Sequence, residues 1–268
     1  MIETMKLITL SSVALAVAAM LSSCVLEKRH TSDGVFSADY VSVSYPITNF
    51  SELDASGAEY IIFRQAPADS VRIEGASSAV NNVVVDQKGE CLSIRMKSEG
   101  FKLPSMDGNS PKVTVYLSSE SLNKVVLSGA NDFSMADSVN VKELAIELSG
   151  AGNVDISSLY VQNLFSVGLS GAGDIDIDDA TVGSFRVRMS GAGDLDANVK
   201  GAATVYVRVS GAGDASLNLV DCGDVECNAS GAGDVDLSGN AARLKYDTSG
   251  AADVNFNSLS LSGEASKY

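Results

Sequence analysis

Residues 185–197 read Phe-Arg-Val-Arg-Met-Ser-Gly-Ala-Gly-Asp-Leu-Asp-Ala, and this stretch decides the fold. Apolar and polar residues alternate on both sides of Ser-Gly-Ala-Gly, which is the period of a β-strand. The glycines between the two arms indicate a sharp turn, because glycine accepts backbone conformations that are forbidden to other residues. One unit is therefore predicted to be a strand, a glycine-rich corner and a second strand.

The unit recurs along the second half of the chain. Ser-Gly-Ala begins at Ser128, Ser149, Ser170, Ser190, Ser210, Ser230 and Ser249, so that successive copies lie 19 to 21 residues apart. Five of these copies, from Ser149 to Ser230, continue with a second glycine, and Ser56-Gly-Ala58 resembles an earlier degenerate copy. A fixed period of about 20 residues is typical of a solenoid.

Stacking is expected because one such unit cannot bury its apolar positions alone. Inward positions such as Phe185, Val187 and Met189 hold similar residues in every copy. Stacked copies would therefore form parallel sheets in which neighbouring strands lie about 4.8 Å apart. The sequence therefore predicts an all-β, parallel β-helix-like solenoid with ~20-residue turns and Ser-Gly-Ala-Gly corners. An antiparallel up-and-down meander is the alternative, because two strands per unit could also form hairpins.

The first residues have the layout of a bacterial export signal. Lys6 precedes an uncharged run from Leu7 to Met20, which is shorter than the roughly 20 residues that a membrane-spanning helix needs. The run ends in Leu21-Ser-Ser-Cys24, which resembles the lipobox of bacterial lipoproteins. This resemblance implies that Cys24 is the mature N-terminus and carries the lipid that attaches the protein to a membrane.

The composition then divides the chain into five parts. The segment from Val25 to Val35 contains Glu, Lys, Arg, His, Thr, Ser and Gly without periodicity, as in a flexible tether. We predict a signal peptide at 1–23, a tether at 24–35, a β-rich N-terminal part of the solenoid at 36–127, the regular repeats at 128–262 and a C-terminal tail at 263–268. The expected location is the outer membrane, at its periplasmic face or at the cell surface.

Charge and residue types argue against several functions. The chain carries 34 acidic and 19 basic residues, a net charge of −15, whereas nucleic-acid binding needs a basic face. The single histidine, His30, lies in the predicted tether, which excludes a histidine-based triad or a histidine-ligated metal in the solenoid. Cys222 and Cys227 lack Cys-x-x-Cys spacing and are predicted to be core residues.

The order of the strands and repeats resembles the family called putative auto-transporter adhesin, head GIN domain. The segments that carry the resemblance are Tyr60-Ile-Ile-Phe-Arg-Gln65, Val71-Arg-Ile-Glu-Gly75, Leu92-Ser-Ile-Arg-Met96, Val113-Thr-Val-Tyr116, Leu122-Asn-Lys-Val-Val-Leu-Ser-Gly-Ala130 and the later repeats. The likeness spans about residues 36 to 262. It implies a β-helix-like fold on a secreted or lipid-anchored adhesin, and it brings no catalytic residues.

Stacking would align two series of carboxylates at one edge. The first series includes Asp174, Asp194, Asp214 and Asp234, and the second includes Asp176, Asp196 and Asp236. We expect the first carboxylate of each turn to accept backbone N–H bonds from its own turn and the second to be solvated. The alternative is a Ca²⁺ site, because a hard cation would offset the repulsion between neighbouring rungs. No other cofactor is expected.

A basic and aromatic patch is predicted on the outward face of the first arm. It consists of Arg186, Arg188, Tyr206 and Arg208, which stacking would bring together. Such residues often form cross-strand ladders that keep a surface soluble. On a flat solenoid face they could also bind an anionic glycan.

The sequence therefore favours a non-enzymatic, lipid-anchored envelope protein that acts as an adhesin or binding module. Its expected partners are the membrane, through the lipid, and a glycan or an envelope or host protein. Two alternatives remain. One is a structural or sensory envelope component without an external ligand, and the other is a calcium-dependent polysaccharide lyase that uses an arginine base near the carboxylates.

Overall fold

The computed structural model describes residues 25–28, 40–97 and 113–267, which contain twenty strands and one short helix. The predicted signal peptide and Cys24 lie outside these ranges. The first elements are β1 (Val25–Lys28), β2 (Tyr40–Pro46), β3 (Glu52–Gly57), β4 (Tyr60–Gln65), β5 (Ser70–Ala76), α1 (Ser77–Val80), β6 (Val83–Lys88), β7 (Cys91–Met96) and β8 (Thr114–Ser119). The remaining strands are β9 (Lys124–Gly129), β10 (Asp132–Met135), β11 (Val139–Leu148), β12 (Val154–Ile156), β13 (Leu159–Leu169), β14 (Ile175–Met189), β15 (Leu195–Lys200), β16 (Thr204–Val209), β17 (Ala215–Gly231), β18 (Val235–Gly250), β19 (Val254–Leu261) and β20 (Ala265–Lys267).

Successive turns pair in parallel from β9 to β20. Val187 of β14 lies beside Val207 of β16, which lies beside Cys227 of β17, so equivalent positions of the repeat are in register. The chain is thus an all-β solenoid of parallel turns of about 20 residues, as predicted, and the antiparallel meander is wrong for this part of the chain. The inward residues Phe185, Val187 and Met189 are buried, which confirms the predicted inward register.

Each turn has a third paired stretch that the two-arm unit did not predict. In β14, residues 175–177, 180–182 and 184–189 each pair with the next or preceding turn, and the pairing shifts between Ile177 and Ala180. Ala180 and Val182 point inward and are buried. The interior is therefore enclosed on three sides and filled by stacked side chains. Phe165 and Phe185, for example, have ring centroids 5.3 Å apart.

The Ser-Gly-Ala-Gly segments lie at or just after the ends of strands, where the backbones of neighbouring turns are also in direct contact. A Cβ atom on Gly171 would be 1.7 Å from the carbonyl oxygen of Gly150, and one on Gly173 would be 1.8 Å from that of Gly152. Between them, the Ala172 N–H donates to the Gly150 carbonyl at 2.9 Å. Only glycine leaves enough room for this approach.

The expected reason for these glycines is wrong for the middle copies. Positive φ angles occur at the first glycine of some copies, namely Gly129, Gly231 and Gly250. Gly150 and Gly171 have ordinary φ angles, yet a Cβ atom at either would collide with the preceding turn. Steric exclusion by the neighbouring turn therefore explains most of the motif, because both backbones occupy the space that a side chain needs.

The first end of the solenoid changes from parallel to antiparallel pairing. β3 lies between β7 and β9, and β4 lies between β8 and β10, all in parallel. β2 and β5 then pair antiparallel, β5 pairs antiparallel with β8, and β6 with β7. β1, within the predicted tether, pairs antiparallel with β2. These strands occupy the edges on which another parallel turn would stack.

Glu59 follows Ser56-Gly-Ala58 and occupies the place of the second glycine of the motif. Glu59 is 1% exposed, and neither of its carboxylate oxygens has a hydrogen-bond partner among the described residues. The carboxyl group fills the space above Gly57, where a Cβ atom would be 2.5 Å from either oxygen. Burial disfavours the charged form and raises the pKa of Glu59 to about 7, although the nearby backbone N–H groups of Glu59 and Ala58 act in the opposite direction.

We predict that Gly171→Ala lowers the melting temperature by about 4–10 °C. Overpacking of this kind costs about 1–3 kcal/mol, and each kcal/mol corresponds to about 2–4 °C for a protein of this size. Gly168→Ala is the matched control, because its Cβ atom would meet nothing closer than 3.8 Å. Thermal melting followed by circular dichroism measures both variants. Equal losses in the two variants would contradict the steric explanation.

We also predict that Glu59→Gln removes a pH dependence of stability. A folded-state pKa of about 7, above the ordinary value of 4.5, means that stability is lost as the pH rises from 4.5 through 7. At pH 8 the variant should therefore melt on the order of 5–10 °C above the wild type, and at pH 4 the difference should disappear. A difference that does not change with pH would contradict a buried ionised carboxylate at Glu59.

Candidate functional site

The first series of carboxylates joins each turn to the next. The Asp174 Oδ1 atom accepts the backbone N–H of Asp194 at 3.1 Å, Asp194 accepts that of Asp214 at 3.0 Å, and Asp214 accepts that of Asp234 at 2.8 Å. Asn153 uses its side-chain oxygen in the same way toward Asp174, at 3.3 Å. These side chains therefore act as hydrogen-bonding braces between turns.

The prediction that these carboxylates bind N–H groups of their own turn is wrong. Parallel stacking explains the difference. The backbone carbonyl of Asp194 accepts the Ile175 N–H of the preceding turn at 3.0 Å, while the Asp194 N–H points toward that turn and meets the Asp174 carboxylate. The nearest donor for each carboxylate thus belongs to the following turn.

The second series lies in register two residues further on. Asp155, Asp176 and Asp196 are aligned on consecutive turns. Partial burial and then the negative charge of neighbouring aspartates raise the pKa values of Asp155 and Asp176. At the far end, the Asn255 Nδ2 atom donates to the Asp236 Oδ1 atom at 2.8 Å. Neighbouring carboxylates in this row therefore repel one another, except where Ser216 or Asn255 replaces a carboxylate.

In the described ranges, no group of three or more Asp, Glu, His or Cys side chains has the arrangement of a metal site. The first series is engaged by backbone donors, and the second series supplies at most one carboxylate per rung, with Ser216 between Asp196 and Asp236. Ca²⁺ binding by either series stays a prediction.

The predicted basic patch is assembled on one outward face. Arg186 lies beside Tyr206, and Arg188 beside Arg208, on consecutive turns. Arg188 and Arg208 are exposed, whereas Arg186 and Tyr206 are partly buried. Among the described residues, no carboxylate forms an ion pair with any of the three arginines. By contrast, Arg243 binds both carboxylate oxygens of Asp224, at 2.8 and 2.7 Å.

A groove of about 540 Å³ adjoins this patch, and the sequence did not predict it. Gly168 occupies the same outward position as Glu147 on the preceding turn and Arg188 on the following turn. The sequence feature that could have indicated this groove is Gly168 itself, a glycine at an outward strand position outside the Ser-Gly-Ala-Gly motif. A shallow depression of about 600 Å³ lies nearby around Lys142 and Glu143, but it contains none of the arginines of the patch.

The cysteines of the described part are not joined by disulfides. Cys222 and Cys227 are buried, as predicted, and burial raises the pKa of the Cys227 thiol to about 12. Burial also raises the pKa of Cys222. Cys91 is partly exposed. In the same ranges, no helix has both the length and the hydrophobicity to span a membrane.

Comparison with known proteins gives one family and several structures. The model of the family described as putative auto-transporter adhesin, head GIN domain, matches residues 49–220 and 198–264. A putative adhesin from Bacteroides fragilis NCTC 9343 is 21% identical with a TM-score of 0.60, covering 85% of this chain and 97% of its own. A putative lipid binding protein from Parabacteroides distasonis ATCC 8503 is 15% identical with a TM-score of 0.53, covering 85% and 96%. No curated protein matches the chain.

We predict that Asp214→Ala lowers the melting temperature by about 2–5 °C, because it removes the acceptor for the Asp234 N–H. A hydrogen bond to a charged group contributes about 1.5 kcal/mol or somewhat less at an exposed site. Asp214→Asn should stay within about 1–2 °C of the wild type, since Asn153 performs the same role in its turn. Thermal melting measures both variants, and a loss as large for Asn as for Ala would contradict the proposed brace.

Proposed function

The chain belongs to the family of putative auto-transporter adhesins with a head GIN domain, and on this premise we propose that it is a non-enzymatic, lipid-anchored binding module of the cell envelope. The solenoid is a stiff support, because every turn is bound to its neighbours along all three faces. Its binding surface is the patch of Arg186, Arg188, Tyr206 and Arg208.

The observation that carries this proposal is the absence of acidic partners for these arginines among the described residues. In a chain of net charge −15, carboxylates are available to pair with them, as Asp224 pairs with Arg243. Neighbouring guanidinium groups about 5 Å apart repel by roughly 1 kcal/mol even in water. An anionic ligand that bridges them would remove this repulsion, and an unpaired cluster is therefore suited to binding.

Attachment to the outer membrane through Cys24 is part of the proposal. Its support is the lipobox-like Leu21-Ser-Ser-Cys24 and the polar segment after it. β1 begins at Val25, directly after this cysteine, and pairs with β2 at the antiparallel end of the solenoid. The lipid would then lie beside that end, and the arginine patch would lie several turns away from the membrane.

Other functions have less support. In a structural component without a ligand these arginines would serve solubility alone, and acidic partners would be expected beside them in so acidic a chain. A calcium-dependent lyase needs a grouped set of oxygen ligands, which the described carboxylates do not form. Lipid binding, in the description of the Parabacteroides distasonis relative, requires an apolar cavity. Here Phe133, Phe165 and Phe185 fill the interior.

The test is binding of the purified protein to immobilised acidic polysaccharides, neutral polysaccharides and isolated envelope fractions, measured by biolayer interferometry. We expect saturable binding to at least one acidic partner and a loss of about tenfold or more in the combined variant Arg186→Ser, Arg188→Ser, Arg208→Ser.

The control variant Lys88→Ser, Lys97→Ser, Lys200→Ser makes the same change in net charge away from the patch and should retain the affinity. Absence of saturable binding to every partner would contradict a binding function. Equal losses in both variants would show that only overall charge matters.

A further inference from the structure

The groove next to the arginine patch exists because of one missing side chain. In the outward row that runs across the turns, Gly168 stands between Glu147 and Arg188, with Arg208 on the next rung. The groove extends along this row and beside the serines that begin the connecting segments, from Ser149 to Ser210. It therefore runs across several turns, along the direction in which the turns stack.

The backbone does not require glycine at position 168. A Cβ atom there would lie 3.8 Å from its nearest neighbour, the Ile146 carbonyl oxygen, and the φ angle is ordinary. At Gly171, by contrast, a Cβ atom would lie only 1.7 Å from its nearest neighbour, the Gly150 carbonyl oxygen. A Cβ atom fits at Gly168, so backbone packing does not explain this glycine, and its lack of a side chain leaves the groove open.

The groove combines hydrogen-bond donors with apolar residues of the strands beneath it. Arg188 and Arg208 line one side, and the Ser170 and Ser190 hydroxyl groups have no protein acceptor among the described residues. On the other side, Glu147 lies 3.5 Å from the Lys124 Nζ atom, which partly neutralises its charge. An anion can therefore enter without meeting a free carboxylate on the opposite side.

The ligand class follows from these groups. A guanidinium group matches a carboxylate with two parallel hydrogen bonds, and hydroxyl groups pair well with sugar hydroxyls. Of the apolar residues along the groove, Leu148, Val167, Leu169 and Met189 are at most 3% exposed and Val126 alone is partly exposed, so an apolar anchor of a peptide would find little to contact. The strands beneath are paired on both sides, which leaves no free edge for an added peptide strand.

We propose that this groove binds a linear polysaccharide that carries carboxylates, such as a polyuronate. Arg188 and Arg208 bind the carboxylates, while Ser170 and Ser190 bind sugar hydroxyls. Strands of neighbouring turns lie about 4.8 Å apart, so a polysaccharide that lies along the groove would pass Arg188 and Arg208 on consecutive turns. This inference rests on the proposed binding function and assigns its ligand and its subsite.

The experiment measures binding of polygalacturonate to the full chain by isothermal titration calorimetry. We expect Gly168→Gln to fill the groove and lower the affinity by about tenfold or more at an unchanged melting temperature. Gly168→Ala, which adds one methyl group, should stay within about threefold of the wild type. Arg188→Lys should lose about fivefold or more, because lysine cannot form the paired hydrogen bonds.

Three further ligands make the proposal falsifiable. Methyl-esterified polygalacturonate should bind weakly, and equal binding would overturn the role of the carboxylate. Poly-glutamate should also bind weakly, and binding as tight as that of polygalacturonate would overturn the choice of a sugar over a peptide. Neutral dextran should not bind.

The two proposals fail differently. If the wild type binds an envelope partner through the three arginines but Gly168→Gln has no effect, the groove is not the site and the binding function stands. If the wild type binds other partners but not polygalacturonate, the ligand class is wrong. If nothing binds, the proposed function and the groove are both overturned.

Discussion

The structure depends on one contact between turns, the backbone hydrogen bond from each motif alanine to the glycine carbonyl of the preceding turn. The Ala192 N–H binds the Gly171 oxygen at 2.9 Å, and Ala212 binds Gly191 at 3.0 Å. These contacts keep the connecting segments stacked as closely as the strands. Because the closest approach fixes the register beside the motif, the strand residues on either side of it lie above their equivalents, and the pairing shifts only further along the turn.

This alignment has opposite effects on different residues. Apolar side chains gain from it, as Phe165 on Phe185 illustrates, because like shapes pack in successive layers. Charged side chains lose from it, since Asp155, Asp176 and Asp196 must face one another. The first carboxylate series avoids the loss by accepting backbone N–H groups. The arginine patch has no such internal compensation, which is why we assign the ligand to it.

Much of the fold could be predicted because the repeat makes each residue type appear several times in the same environment. The parallel pairing and the inward positions followed from this repetition. The third stretch, with Ala180 and Val182, is short and irregular and carries a weak pattern. The donor for each aspartate and the space around each glycine depend on the turn above or below, and a single unit does not contain that information. Gly168 could be seen in the sequence, but the groove could not, because it also depends on the long side chains of Glu147 and Arg188 on the two adjacent turns.

A stack built from one repeated contact has a length that can vary independently of its architecture. Duplication or deletion of a whole turn preserves the alignment of equivalent residues. Insertion or deletion of a single residue within a strand would instead turn the side chains that follow it to the opposite face. Duplication or deletion of turns can therefore change the distance between the arginine patch and the antiparallel end of the solenoid in steps of about 4.8 Å without redesign of the core. Selection can thus adjust the distance of the patch from the end of the solenoid separately from the chemistry of recognition.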